Sequence, residues 1–340
     1  MTLRRTLLIL LLIASPFIIY AAYSILRPYR GYAGELFVDI RRGADTLEIS
    51  SQLEQAGVLR SEWPFLVLRF VRPRSVLKAG EYFFNRPLSP LEVYRKIAAG
   101  DVFYYSLTVP EGYSMFEIAD AVARTGVLTA QQFLTEARRG ERVAGFAAGA
   151  QTLEGFLFPD TYRLTRHGTA EALVGQMIKR FREVFTELQG AAPSPARNVL
   201  ETVVLASLVE KETAVTSERP LVASVFRNRL RIGMPLQCDP TVIYALQSAG
   251  RYDGSIHKED LSFNSPYNTY GRPGLPPGPI ANPGRASLQA ALAPADTNFL
   301  YFVADSKGGH VFSATLESHS KAVAGYVRAN RRSAKNARRR

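Results

Sequence analysis

Two stretches of the chain match without a gap at a spacing of 69 residues, Val38–Leu59 and Leu107–Leu128. Gly43 falls on Gly112, Glu48 on Glu117, Ile49 on Ile118, and Gly57-Val58-Leu59 on Gly126-Val127-Leu128. A repeat of this length means that one local unit is built twice. Each copy alternates apolar residues, reaches a glycine, and continues at helical spacing, so each predicts a strand, a turn and a helix. Ser114 and Glu117 form a capping-box pattern, and Asp45 with Glu48 is its aspartate variant. Gly57 and Gly126 stop the two helices. Between the copies Ser89 caps a third helix, with Pro90 first, Glu92 third and Gly100 at its end.

Ahead of the repeat, Thr6 to Leu26 runs 21 residues without a charge. As a helix that span is about 31 Å long, enough for a bilayer core. Pro16 is tolerated in such a helix, and Tyr20 and Tyr23 suit a membrane interface. The run is long for a signal peptide and lacks a small-x-small cleavage site, so an uncleaved anchor is expected. The basic residues flanking it are nearly balanced. The five-residue head favours a cytoplasmic amino terminus, with the bulk of the chain on the periplasmic side.

The formal charge of +12 is concentrated at the ends. Arg4, Arg5, Arg27 and Arg30 lie in the first 30 residues and six basic residues in the last ten, with no acid in either segment, which leaves +2 for residues 31–330. That body gives no reason to expect a nucleic-acid partner. The tail from Arg331 is expected to be a disordered, solvated end. The single cysteine, Cys238, permits no intramolecular disulfide and no cysteine-based metal centre, and four histidines leave little for a histidine site, so no metal or cofactor is expected.

After about residue 145 the pattern changes. Leu153–Tyr162 is aromatic-rich and broken by Gly155 and Pro159, which reads as loop and strand. A helix follows over Val199–Thr213, with Ser194 as cap and Pro195 as its first residue. Glu212 ends an apolar stripe with Leu208 at i−4 and Val209 at i−3. Desolvation there would raise its pKa, as a general acid needs. A solvated Glu-Lys-Glu helix end is the other reading, and periodicity alone does not choose. Beyond it, Arg219–Leu246 reads as helix, turn and helix, and the segments around Asn268 and Gly274–Gly284 as a long ordered loop. Leu300–Ala304 and Gly308–Ser313 read as strand, turn and strand.

The first repeat copy resembles the LysM module, a β-α-α-β unit that binds N-acetylglucosamine polymers. A strand-turn-helix spacer explains the same residues without a ligand. The motifs ASLVEKETAVTSERPLVASVFRNRLRIGMPLQCDPTVIYAL, NTY-GRPGLPPGPIANPG and LYFVAD-KGGHVFS-TLESH, in that order, resemble the YceG-like endolytic murein transglycosylase family. The resemblance implies an inner-membrane, single-pass lyase that cuts nascent peptidoglycan strands internally. It implies Glu212 as the catalytic acid, with Glu210 as fallback, and peptidoglycan synthases (penicillin-binding proteins) as partners. Glu154, Gln237, Asp239, Asn268 and Tyr270 are candidate supporting groups. Each has a plainer use: loop hydrogen bonds for Asn268 and Tyr270, a helix cap for Asp239, turn contacts for Glu154 and Gln237.

The expected architecture is α+β. A tail (1–5), a transmembrane helix (6–26) and a linker (27–35) precede a LysM-like region (36–145), a mixed α+β catalytic domain (146–330) and a basic tail (331–340). Rival readings are a lysozyme-like hydrolase with Asp239 or Glu154 as second carboxylate, and a non-catalytic glycan-binding scaffold. A serine nucleophile lacks G-x-S-x-G, a zinc protease lacks H-E-x-x-H, and His310 and His319 are too isolated for a ligand pair.

Overall fold

The computed structural model describes residues 3–193, 196, 198–305 and 308–337. The chain divides into two compact units, Met1–Tyr105 and Ser106–Arg340. The expected boundary at 145/146 lies inside the second.

The first unit holds α1 (Leu3–Leu26), β1 (Leu36–Ile40), α2 (Thr46–Gln55), α3 (Trp63–Val71), β2 (Gly80–Phe84) and α4 (Pro90–Ala99). β1 and β2 pair antiparallel with Val38 opposite Tyr82, which gives a β-α-α-β order. Ile40, Ile49, Leu53, Phe65, Tyr82, Val93 and Ile97 form its core. The local chemistry is as the residues predict. Asp45 accepts from the Glu48 N–H at 2.8 Å, Ser89 and Glu92 close a full capping box, and Gly57 leaves α2 in the left-handed region at φ 74°. α1 covers the expected anchor. Its side chains are described only from Leu12 onward, and among the described residues no helix is long and apolar enough to cross a membrane.

In the second unit β3 (Tyr105–Thr108), α5 (Met115–Arg124) and α6 (Ala130–Ala137) lead to β4 (Thr161–Leu164) and α7 (Ala170–Ala191). Then come α8 (Val199–Glu212), α9 (Arg219–Arg231), α10 (Asp239–Ser248), α11 (Arg285–Leu292), β5 (Tyr301–Ala304), β6 (His310–Ser313) and α12 (Leu316–Ala337). Its sheets are two-stranded, β3 with β4 and β5 with β6, the latter antiparallel with Tyr301 opposite Ser313. The second repeat copy closes its Ser114–Glu117 capping box as read, but its strand pairs with β4 and residue 154 takes the Met115 N–H, so equal local patterns end in different cores.

α8 differs from its sequence reading in two ways. Asn198 is its cap, accepting from the Glu201 N–H at 3.2 Å, while Ser194 and Pro195 lie outside the described residues. The helix also has no apolar stripe: Val203 through Val209 are all buried, as for a helix packed on every side. Leu205, Leu208 and Val209 meet Val222 and Phe226 of α9, Tyr244 of α10 and Ile280 in one core. At the carboxyl end, α12 carries the backbone as helix through Ala337, which corrects the expectation of a disordered tail from Arg331. Residues 338–340 lie outside the described residues.

Candidate active site

Glu212 closes α8, with Thr213 as the C-cap residue. Its carboxyl is partly buried, and desolvation pushes its pKa up, reinforced by the charge of Asp239. The carboxyl end of a helix opposes a negative charge in the same sense. A hydrogen bond with the Cys238 thiol and the nearby charges of His310 and Arg229 act the other way without reversing the shift. Among the described residues no cation forms an ion pair with Glu212. A carboxyl in this setting holds its proton to higher pH than a solvated one.

Glu210, two residues earlier, is used differently. It accepts from Arg219 Nη2 at 3.0 Å and from the Gly284 N–H at 2.9 Å, and both side chains of the ion pair are almost fully buried, 5% and 8% exposed. This pair ties the start of α9 and the end of the Gly274–Gly284 loop to α8. A carboxylate so bonded holds structure.

The wall opposite Glu212 is the turn into α10. Gln237 sits there at φ 49°, the one non-glycine residue with positive φ among the described residues. A glutamine in that region is strained, a feature that gathers at functional sites. Thr269 holds the strained turn: its carbonyl accepts from the Gln237 N–H at 3.2 Å and its hydroxyl from the Cys238 N–H at 3.0 Å. The neighbouring residues divide the remaining work. Asn268 is buried and donates to the carbonyls of Leu261 and Phe263, and its Oδ1 accepts from the Tyr270 N–H, so it shapes the loop. Tyr270 donates its hydroxyl to Asp239. Asp239 is the exposed first residue of α10, whose N-cap is Cys238, so the expected cap role is corrected. Asp239 faces Glu212 instead.

Glu154 lies away from this turn and is fully buried. Both its oxygens accept from the Met115 N–H at the start of α5, at 3.0 and 2.9 Å, and Oε1 accepts from Asn282 Nδ2 at 2.8 Å. Tyr244 is a further hydrogen-bond partner, and burial pushes the pKa of Glu154 up to about 8. It is thus a remote helix clamp and not the turn contact expected. The folded state holds this proton where the unfolded chain has released it, so the group costs stability as pH rises from 4.5 to about 8. Glu154→Gln is expected to flatten that slope and to be more stable than the parent above pH 8 by roughly 2–4 kcal/mol. Urea unfolding at pH 5 and pH 9 measures it, and an unchanged difference between the two pH values would contradict the burial argument.

Sequence reasoning missed Arg229, Glu218, His310 and Thr269. Arg229 is buried and donates to the carbonyls of Leu300 and Leu236, both at 2.7 Å. Burial lowers its pKa, opposed by Glu212 among others. Its only sequence signal is a charged residue at a core-facing position of an otherwise apolar helix face. In the sequence, Cys238 serves only to exclude a disulfide and a cysteine-based metal centre. Its thiol is buried beside Glu212, and burial pushes its pKa well up. Among the described residues no cluster of three or more His, Cys, Asp or Glu could hold a metal.

The YceG-like family model matches residues 38–325. An endolytic murein transglycosylase of Bacillus subtilis is 34% identical over 306 residues, a match covering 85% of this chain and 84% of that one. One of Streptococcus pneumoniae serotype 2 is 31% identical over 320 residues, covering 85% of this chain and 58% of that longer one. The 2.6 Å crystal structure of a yceG-like protein from Listeria monocytogenes superposes with a TM-score of 0.54 at 32% identity, covering 84% of this chain and 98% of that one. By the span of the family match and the identity to these relatives, the chain belongs to the YceG-like family.

Proposed function

We infer that this protein is an endolytic lytic transglycosylase of peptidoglycan and that Glu212 is its single acid and base. The activity named for its relatives supports the reaction. The observation that carries the residue is the contrast within E-K-E: Glu210 is neutralised by Arg219, whereas Glu212 is desolvated and free of any ion pair among the described residues. Protonated Glu212 donates to the oxygen leaving the muramic acid, and the oxocarbenium-like centre forms beside it. The carboxylate left behind takes the proton of the muramic acid 6-hydroxyl as that oxygen closes the 1,6-anhydro ring. The carbon–oxygen bond to the leaving sugar breaks, the ring bond forms, and the proton returns to Glu212, so no water is consumed. Asp239 and the Tyr270 hydroxyl line the same turn and orient sugar hydroxyls. The buried Arg229 charge balances the carboxylate form.

Asp239 also keeps a hydrolase in view, since a second carboxylate facing the acid can activate water. Mass spectrometry of sacculus digests separates the two. Anhydro ends on internal fragments are expected, and reducing ends alone would make this a lysozyme-like enzyme.

The β-α-α-β order of the first unit supports reading it as a LysM-like glycan-binding module. The uncharged run from Thr6 to Leu26 supports α1 as an inner-membrane anchor, with the rest of the chain in the periplasm near the synthases that make the strands. Its described apolar side chains stand open, Leu12 at 72% and Phe17 at 74% exposure.

A further inference from the structure

Glu218 ends the short 3-10 turn Thr216–Glu218 that joins α8 to α9. Its carboxylate accepts three hydrogen bonds: from the His310 N–H at 2.9 Å, from His310 Nδ1 at 2.7 Å, and from the hydroxyl of Thr213 at 3.3 Å. Thr213 directly follows Glu212. His310 opens β6, just after a turn in which Asp305 Oδ1 accepts from the Gly309 N–H at 2.9 Å. A Cβ on Gly309 would stand 2.7 Å from Glu218 Oε1, so a side chain there would push the carboxylate out of this arrangement. The imidazole rests edge-on against Phe302, with ring centroids 5.5 Å apart at 88°. Both side chains of the pair are largely buried, at 16% and 15% exposure. With Nδ1 committed to Glu218, no hydrogen bond reaches Nε2 among the described residues.

We propose that Glu218 and His310 form a positioning pair that pins the start of β6 to the end of α8 and, through Thr213, fixes where the Glu212 carboxyl points. The proposal rests on the reading of Glu212 as the acid. Glu212 is faced by Cys238 and Asp239 from the start of α10, Arg229 from α9, Tyr270 from the long loop and His310 from β6. Desolvation pushes Glu218 up, but the bonds from His310 and Thr213 outweigh it, so Glu218 stays ionised and accepts all three. The bond to the Thr213 hydroxyl fixes the residue that follows Glu212, and with it the exit of α8.

The test is steady-state kinetics of strand cleavage by the full chain. Glu218→Ala removes the acceptor of all three bonds, and kcat falls by about tenfold or more with KM within about twofold, because the acid is misdirected while the sugar still binds. His310→Asn keeps a side-chain donor near Glu218 and recovers most of the rate, whereas His310→Ala does not. Equal losses in His310→Asn and His310→Ala, or a loss that falls on KM alone, would overturn the proposal. A second readout needs no activity. The His310 amide donates to Glu218, so its hydrogen exchange speeds by about tenfold or more in Glu218→Ala while the amides inside α8 stay protected; unchanged exchange rejects the pairing. An active Glu212→Gln together with faster His310 exchange in Glu218→Ala would remove Glu212 as the acid and leave the pair standing.

Discussion

Glu212→Gln is expected to slow strand cleavage by ~10²–10⁴-fold, the usual contribution of a positioned general acid. Glutamine keeps the shape and a hydrogen-bonding carbonyl but has no proton to give the leaving oxygen and no anion to take one back. The loss should fall on kcat, because the amide can still occupy the same place against bound sugar. Stability should move the other way. A carboxyl whose pKa is raised by burial costs stability once ionised, so the variant should unfold at equal or higher urea concentration at pH 8. Digestion of purified sacculi with product analysis reads the first effect and urea unfolding the second. A variant as active as the parent would move catalysis to another group.

Glu210→Ala is expected to destabilise the second unit by ~3–5 kcal/mol, the cost of stranding one member of a buried pair. The guanidinium of Arg219 would lose its 3.0 Å partner and, among the described residues, keep only Glu111, 3.7 Å away and half exposed. Arg219 Nε already lacks a partner, so little else can absorb the charge. The Gly284 N–H would lose its acceptor as well. Replacing both members with apolar residues, Glu210→Met with Arg219→Leu, should recover most of the loss, because no buried charge is left unpaired. Urea unfolding of the single and double variants measures this. A single variant within 1 kcal/mol of the parent would show that the pair is solvated.

Much of the first unit was legible because its signals are local. The Ser89 box, the Asp45 cap and the stop at Gly57 each involve residues within a few positions of one another, and the structure forms them as read. The domain boundary was not legible. The two repeat copies carry the same strand-turn-helix pattern, and nothing within the second copy says that its strand will pair with β4 or that Glu154 and Asn282 will clamp its helix. α7 went unread. The fully buried α8 was mistaken for a striped helix because a run of apolar residues does not reveal how many sides are covered.

The same limit applies within the site. The segment Leu205–Thr213 determines by itself that two carboxylates lie two positions apart near the end of a helix, since helical spacing needs only neighbouring residues. Which one is ion-paired and which is desolvated was decided by residues that arrive from elsewhere: Arg219 and Gly284 on Glu210, and Cys238, Asp239, Arg229 and His310 around Glu212. Desolvation and ion pairing depend on what packs against a group, and packing exists only once the chain has brought distant segments together.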